Sequence, residues 1–218
     1  MARVLIVSSA FPPHSSAGGA IRLVKFLKHL LPIGWKCVVL TQDRPERTGL
    51  SGFLLDELPA DLDVLRVPAA RRSSRQASDD SMLSWGARAF WKGWHELRRM
   101  RVDLVHGVAP PFTNALVAML LAWLVRKPLV LDFKDDWVDS PDFLQKGRIR
   151  RLVERRLERW IIRYASAVIH VTPQSLQAYR ERYADLGEPE KFHLVPNGCD
   201  LDEYAVLAGR RREIASER

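Results

Sequence analysis

Cysteine is scarce in this sequence, which has only Cys37 and Cys199 among its 218 residues. Two cysteines so far apart form neither the framework of a small disulfide-bonded domain nor a metal-binding pair, so we expect no metal site. No basic and then apolar leader precedes the first apolar run, which begins at Val4. These absences fit a protein of the reducing cytoplasm, free or at the inner face of the membrane.

Long apolar runs and the common nucleotide-binding motifs are also missing. The longest apolar run, residues 115–125, falls well short of the roughly 20 residues of a membrane-spanning helix and is predicted to form a buried helix. The sequence has no G-x-G-x-x-G and no G-x-x-x-x-G-K-[ST], which argues against a dinucleotide-dependent enzyme and a P-loop nucleotide hydrolase. Because no DNA- or RNA-binding motif is present either, nucleic acid is not an expected partner.

Acidic residues are outnumbered, with 26 against 34 basic ones, which gives a net charge of +8. A positive field attracts polyanions, phosphorylated small molecules and anionic lipids without distinguishing among them. The basic residues concentrate between residues 146 and 163, where we predict a helix with a solvated basic face. The buried stripe of this helix is predicted to contain Leu152, Val153, Leu157, Trp160 and Ile161.

Hydrophobic periodicity predicts that strands and helices alternate. The predicted strands are residues 4–8, 36–40, 64–67, 104–106, 129–133, 167–171 and 193–195, and the predicted helices are 19–31, 82–99, 113–125, 146–164 and 173–183. Strands that are apolar along their whole length indicate a doubly wound, mostly parallel α/β sheet with helices on both faces, a Rossmann-like fold. With 47% apolar residues, we expect one domain over residues 1–200 and a tail or the start of a linker over 201–218.

The sequence also predicts which face of the first helix is buried and which two stretches between the predicted elements are loops. Helical spacing places Ile21 and Val24 on the buried face of the first helix and turns Arg22 and Lys25 away from it. Residues 42–61 and 69–81 show no clear period and are predicted to be exposed loops.

In parallel α/β sheets ligands bind at the carboxyl ends of strands, so the loops after the strands are the places to look for a site. Gly18 and Gly19 lie in the first such loop, immediately before a helix. Their backbone N–H groups could receive a phosphate or a sugar, but two glycines would equally permit a tight turn between strand and helix.

The loop after the strand at 129–133 is dense in polar groups. Asp132, Lys134 and Asp135 stand at the carboxyl end of this strand, with Trp137 close behind. The carboxylates and the ammonium group are suited to hydrogen-bond hydroxyls. Trp137 would either stack on the apolar face of a sugar ring or wedge into the core.

Two histidines occupy similar positions, His14 in the first loop and His106 at the end of a strand. The near-neutral pKa of histidine suits either one to act as a general base or as a hydrogen-bond donor to a substrate hydroxyl. A structural role is the alternative for both. His170 falls inside an apolar strand and is predicted to be a core residue.

A predicted helix rich in tryptophan suggests contact with a membrane surface. Between Trp85 and Arg99, aromatic side chains alternate with arginine and lysine, a composition suited to lying in a lipid interface. Tryptophan at helical spacing is also typical of a protein core. Peripheral membrane contact through Trp85–Arg99 is therefore one of two interpretations of this segment.

A series of short segments, each weakly informative alone, follows in a specific order. They are Phe11-Pro12-Pro13, Gly18-Gly19, Asp103-Leu104-Val105-His106, Pro128, Arg151 and Glu154 ahead of Tyr164-Ala165, and Pro196-Asn197-Gly198-Cys199-Asp200. In this order and spacing the chain resembles, over almost its whole length, the amino-terminal, acceptor-side domain of GT-B glycosyltransferases of the retaining family 4 type.

The resemblance implies a hexosyl-type glycosyltransferase that moves sugar from a nucleotide-sugar donor to a hydroxyl of a glycan, a lipid-linked acceptor or a small molecule. It implies no metal and no cofactor beyond this co-substrate. Gly18 and Gly19 would approach the donor diphosphate or the acceptor. The residues that would hold the acceptor are His14, His106, Asp132, Lys134, Asp135 and Trp137. Residues 132–137 are similar to a D-x-R-D-x-W pattern of some members, with Lys134 in place of the usual arginine, and these two cations are not equivalent.

The family also has a second Rossmann-like domain that binds most of the nucleotide sugar, and no such domain follows in these 218 residues. The resemblance therefore implies a chain that is catalytically incomplete alone, and it identifies no catalytic base. The alternatives are a non-catalytic binding or assembly module that pairs with a separate donor-binding subunit, or another Rossmann-like protein that binds a small nucleotide or associates with nucleic acid.

Overall fold

One parallel sheet organises the chain, whose computed structural model describes residues 1–13, 18–43, 54–68, 78–138 and 140–199. The strands of these ranges are β1 (Arg3–Val7), β2 (Lys36–Asp43), β3 (Asp63–Pro68), β4 (Leu104–Ala109), β5 (Leu129–Phe133), β6 (Ala167–His170) and β7 (Phe192–Leu194). They form a 7-stranded sheet in the order β3-β2-β1-β4-β5-β6-β7, and every neighbouring pair is parallel. The prediction of a doubly wound, Rossmann-like sheet is confirmed.

Helices cover both faces of the sheet. They are α1 (Gly18–Leu30), α2 (Ser78–Leu97), α3 (Phe112–Val125), the short α4 (Pro141–Leu144), α5 (Arg148–Tyr164) and α6 (Pro173–Arg182), followed by two 3-10 turns at Ala184–Leu186 and Pro189–Lys191. One buried cluster packs α1 against β1 and β2, and the other packs α2, α3, α5 and α6 against the opposite face. Every predicted strand and helix is present, with ends shifted by a few residues.

The buried face of α1 is rotated relative to the prediction. Arg22, expected to point away from the core, is buried, whereas Ile21, expected to be buried, is 42% exposed. The position of Arg22 follows from its buried partner Asp132 on β5, to which it donates two hydrogen bonds. An ion pair has overridden the simple apolar pattern here.

Parts of the two predicted loops belong to regular elements or to the core. β2 continues to Asp43, and Gln42 is buried inside it, so the exposed loop predicted from residue 42 begins later. Leu58 also packs into the α1 cluster, and α2 begins at Ser78, inside the second predicted loop. Residues 44–53, 69–77 and the predicted tail 201–218 lie outside the described residues.

The structure distinguishes the two interpretations for Trp85 and corrects the prediction for the basic helix. Trp85 on α2 is fully buried and its indole N–H donates to Asn114, which rules it out as a membrane-contacting side chain. On α5, the predicted buried stripe is wrong for Leu152, Val153 and Trp160, which are all about half exposed. Residues 115–125 do form a largely buried helix. In the described ranges no helix combines the length and apolarity needed to cross a membrane.

Gly107 on β4 lies where α3 comes closest to the sheet. A Cβ added there would lie 2.8 Å from the Cβ of Ala118 and 3.2 Å from Cδ2 of Leu131. We expect Gly107→Ala to cost about 1–3 kcal/mol in the free energy of unfolding, because neither packed neighbour can move away freely. Urea unfolding measures this loss. Gly198→Ala, where a Cβ meets nothing within 4 Å, serves as the control, and an equal loss in both variants would contradict the prediction.

Candidate functional site

The carboxyl edge of the sheet gathers three separate parts of the chain. They are the amino-terminal end of α1, the carboxyl end of β5, and the segment after β7 around Pro196 and Asn197. A parallel sheet brings the carboxyl ends of its strands to one edge, which is where ligands of such folds bind. The side chain that joins all three parts is Arg22.

Arg22 donates hydrogen bonds to groups that are far apart in sequence. Its Nε and Nη2 bind the two carboxylate oxygens of Asp132 at 3.0 and 3.1 Å. The same guanidinium donates to the carbonyls of Val195 at 2.9 Å and Pro196 at 3.1 Å, and to Oδ1 of Asn197 at 3.0 Å. A planar fork of five donors is suited to this bidentate and branched arrangement, which fixes α1, β5 and the segment after β7 against each other.

Beside this ion pair lie Lys134 and His106. Burial lowers the pKa of Lys134, and the charges of Asp132, Arg22 and Asp135 act on the same ammonium group. Burial also lowers the pKa of His106, although Asp132 opposes the shift, so the imidazole is neutral at pH 7. The Nε2 atom of His106 is buried and has no hydrogen-bond partner among the described residues. Asp135 is exposed at the rim of the edge.

Trp137 is part of the packed core. The residue is 5% exposed, and its ring stacks on Phe112 with centroids 4.6 Å apart and planes 6° from parallel. Its indole N–H donates to Oε2 of Glu154 at 3.0 Å, and the same carboxylate accepts from Lys146 and Arg150. Of the two interpretations of Trp137, these contacts favour the wedge in the core over an open stacking platform.

Behind the loop, a second buried carboxylate is held by tyrosines. Glu158 on α5 is fully buried and accepts hydrogen bonds of 2.6 Å from Tyr179 and Tyr183. Burial raises the pKa of Glu158 to about 7, although the two hydroxyls lower it. The Tyr179 hydroxyl in turn accepts from the backbone N–H of Trp137 at 3.1 Å, so this cluster supports the loop from below.

His170 at the end of β6 is buried, as predicted, and burial lowers its pKa to about 4. Its Nδ1 lies 2.9 Å from the hydroxyl of Ser175, and that hydroxyl donates to Asp136. Because the pKa is low, the ring is neutral at pH 7. This chain of contacts anchors the start of α6 to the loop after β5.

The structure thus brings together His106, Asp132 and Lys134 at one edge, with Asp135 at its rim. Gly18 and Gly19 are the first two residues of α1, one turn before Arg22. His14 lies outside the described residues. Sequence reasoning missed Arg22, whose signal was a carboxylate at the end of an apolar strand that needed a buried cation. It also missed Asn114, which is buried and donates to the carbonyl of Val108 at 2.8 Å.

Comparison with protein families and curated proteins gives one match and one absence. The model of a family described as glycosyl transferase 4-like domain matches residues 17–198. No curated protein matches the sequence.

Several solved structures share the fold. Phytolacca americana UGT2, complexed with UDP-2fluoro-glucose and pterostilbene, is 14% identical, with 91% of this chain and 53% of that one aligned at a TM-score of 0.58. Sucrose-phosphate synthase from Thermosynechococcus elongatus is 17% identical over 93% of this chain and 49% of its own, with a TM-score of 0.57. The S. aureus MnaA structure with UDP is 10% identical over 89% and 43%, with a TM-score of 0.55. The chain therefore spans about half the length of each of these proteins.

Proposed function

The chain belongs to the glycosyl transferase 4-like domain family, and from this premise we propose that it forms the acceptor-side wall of a retaining, nucleotide-sugar-dependent glycosyltransferase of hexosyl type. The acceptor is a hydroxyl of a glycan, a lipid-linked carrier or a small molecule. No metal and no cofactor other than the sugar nucleotide takes part. The scarcity of cysteine supports a cytoplasmic location.

The observation that carries this proposal is the convergence of polar groups at the carboxyl edge of the parallel sheet. Arg22 holds the start of α1, the end of β5 and residues 195–197 in one place, and Lys134 and Asp135 stand beside this junction. Such an edge is the ligand-binding side of doubly wound folds. A sugar nucleotide and a hydroxyl acceptor both offer groups that a carboxylate and an ammonium can hydrogen-bond.

Some of the described site residues hold the loop after β5 in position, and others are assigned to bind the ligand. Arg22, Asp132 and Trp137 are buried, Glu154 is half-buried, and together they fix the position of the loop. Asp135 is exposed, and we assign it to an acceptor hydroxyl, with Lys134 beside it. His106 has an unpaired buried nitrogen that suits it to a hydrogen bond with a bound ligand. The first N–H groups of α1, at Gly18 and Gly19, would face a phosphate or the acceptor.

The donor nucleotide is held mainly by a second domain, because the chain spans about half the length of the structures that share its fold. Stabilising the charge of the leaving diphosphate is often the largest catalytic contribution, and it would come from that domain. We therefore expect no measurable sugar transfer by these 218 residues alone.

Joining or mixing the chain with a donor-binding domain and screening nucleotide sugars for turnover tests the proposal. Asp135→Asn in the active assembly should lower kcat/KM for the acceptor about 10-fold or more, the value of a lost charged hydrogen bond. Asp63→Asn, an exposed carboxylate at the amino end of β3, is the matched control.

Three outcomes would count against the proposal. Unchanged acceptor kinetics in Asp135→Asn would remove the site assignment. The absence of turnover with every donor tried, together with stable binding to the donor domain, would favour the non-catalytic assembly module. Micromolar binding of a free nucleotide to the chain alone would contradict the division of donor and acceptor between two domains.

A further inference from the structure

The solvent-facing side of α5 has an unusual composition. Every exposed side chain on this helix is either an arginine or a large apolar residue. The arginines are Arg148, Arg150, Arg155, Arg156, Arg159 and Arg163, and the apolar residues are Ile149, Leu152, Val153 and Trp160. We call this surface the arginine–apolar face of α5.

The acidic residues of α5 are turned inward. Glu158 is fully buried against Tyr179 and Tyr183, and Glu154 is half-buried, with Trp137, Lys146 and Arg150 donating to it. A helix that merely faces water usually alternates both signs of charge on its outer side. Glu154 balances Arg150, and Asp185 pairs with Arg159, but no carboxylate of α5 lies among the exposed side chains beside Arg156 and Arg163.

The exposed apolar side chains form one stripe. Ile149, Val153 and Trp160 lie four and seven positions apart, and Leu152 is adjacent, so at 100° per residue all four fall within one third of the circumference. Their exposures are 82% for Ile149, 51% for Leu152, 57% for Val153 and 52% for Trp160. Arg156 and Arg163 fall in the same sector. Exposure of this apolar stripe to water is unfavourable, and such a patch is typical of a binding surface.

We propose that the arginine–apolar face of α5 binds the surface of a membrane that contains anionic lipids. Guanidinium groups form bidentate hydrogen bonds with lipid phosphates, and each basic side chain near an anionic surface adds to the attraction. Trp160 and the aliphatic side chains would enter the boundary between head groups and acyl chains, where an amphipathic helix lies in the plane of the interface. This inference does not depend on the proposed sugar transfer.

A depression next to this face also combines basic and aromatic side chains. A cavity of about 580 Å³ lies where the end of α3 meets the end of α5, and Trp123, Arg126, Lys127 and Tyr164 line it. Trp123 is 61% exposed. The depression thus adds a second accessible indole and two cations to the end of the α5 surface.

The tryptophan-rich helix α2 does not offer an equivalent surface. Trp85 is fully buried, and among the described side chains 84–97 Trp91 is the only large apolar residue that is mostly exposed. Lys92 is paired with Glu96 on the same helix. Membrane contact is therefore assigned to α5 instead of to the segment Trp85–Arg99.

Co-sedimentation of the 218-residue chain with vesicles tests the inference. We expect binding to phosphatidylcholine vesicles that contain phosphatidylglycerol, little binding to phosphatidylcholine alone, and release at high salt. The triple variant Trp160→Ser/Arg156→Glu/Arg163→Glu should bind the anionic vesicles about 30-fold or more weakly, because two basic side chains and an interfacial indole are lost. The matched control is Trp91→Ser/Arg98→Glu/Arg99→Glu, at a site on α2 and directly after its end. It has the same change in charge and indole content and should bind as the unmodified chain does.

Each possible result bears directly on the proposal. Circular dichroism and thermal melting must first show that both variants fold, which is expected because the substituted side chains are exposed. Equal loss in the two variants would indicate attraction by net charge alone and would overturn the assignment to α5. So would the absence of binding to anionic vesicles, or complete displacement from them by equimolar polyglutamate or single-stranded DNA, which would indicate an acidic macromolecule as the partner.

Discussion

Replacing Asp132 with alanine is expected to lower the free energy of unfolding by about 3–5 kcal/mol, the largest loss we predict for a single residue. Asp132 is 1% exposed and accepts two hydrogen bonds from Arg22. Without it the guanidinium remains buried with no opposite charge beside it. For a chain of this size the loss corresponds to a fall in Tm of roughly 6–20 °C, measurable by calorimetry or urea unfolding.

A double-mutant cycle separates the ion pair from the rest of the Arg22 network. Arg22→Met alone should also be strongly destabilising, since it strands the Asp132 carboxylate and removes the donor to the carbonyls of Val195 and Pro196. The double variant Arg22→Met/Asp132→Leu should lose less than the sum of the two single changes, because no buried charge is left uncompensated. Additive losses would contradict this account.

The exposed ion pair between Arg159 and Asp185 provides the comparison. Because water screens both groups, Arg159→Met should leave the midpoint of unfolding essentially unchanged. Hydrogen exchange adds a local measurement. Amides near residues 195–197 should exchange faster in the Arg22 and Asp132 variants than in the Arg159 variant, since only the former release this segment from α1.

The second large effect is a dependence of stability on pH that arises from Glu158. Burial raises the pKa of this carboxyl to about 7 in the folded protein, whereas an unfolded glutamic acid titrates near 4.3. Between these values the folded state binds more protons than the unfolded state. The contribution of Glu158 to stability is therefore complete below about pH 4.3 and is lost as the pH rises through about 7, a change of about 4 kcal/mol in all.

Glu158→Gln isolates this contribution because the amide is neutral at every pH and can still bond to both tyrosine hydroxyls. We expect the stability of the variant relative to the unmodified chain to improve by about 3 kcal/mol between about pH 4.5 and pH 8. Urea unfolding at a series of pH values measures the difference. A difference that stays constant with pH would show that the Glu158 carboxyl titrates alike in both states.

Glu154→Gln is the matched control on the same helix and should show the opposite trend. Burial tends to raise the pKa of Glu154, but hydrogen bonds from Lys146, Arg150 and Trp137 outweigh it and the pKa is lowered. A carboxyl with a lowered pKa stabilises the folded state above its unfolded pKa and loses this effect as the pH falls. The variant should therefore be less stable than the unmodified chain at pH 7 and should approach it in acid.

His170 makes this comparison of variants necessary, because it acts against Glu158 in the unmodified chain. Its pKa is lowered to about 4 by burial, so its neutral ring stabilises the fold above the unfolded value of about 6.5 and this stability is lost on acidification toward pH 4. The contribution of Glu158 to the stability of the fold increases over much of the same fall in pH. In the unmodified chain the two effects partly cancel, so the free energy of unfolding would change less with pH than either group alone would make it change.

Local patterns were sufficient to predict the elements of the fold. Apolar runs such as β1, and the helix formed by residues 115–125, carry their periodicity in neighbouring residues. The same reasoning directed attention to the loop after β5, because ligand sites of parallel sheets lie at strand ends. It also left two roles open for Trp137, and its stacking on Phe112 favours the core.

What the sequence determined by itself was the succession of strands and helices, the parallel sheet, and the edge at which polar residues collect, since each depends on residues close together in the chain. Only the tertiary structure decided which side chains meet across long distances. Arg22 and Asp132 are 110 positions apart, and nothing local identifies either as the other's partner. The outer face of α5 was likewise decided by packing. Its arginines and apolar side chains occur all around the helix, and only the contacts of Glu158 with Tyr179 and Tyr183 turn the acidic side inward and Trp160 toward solvent.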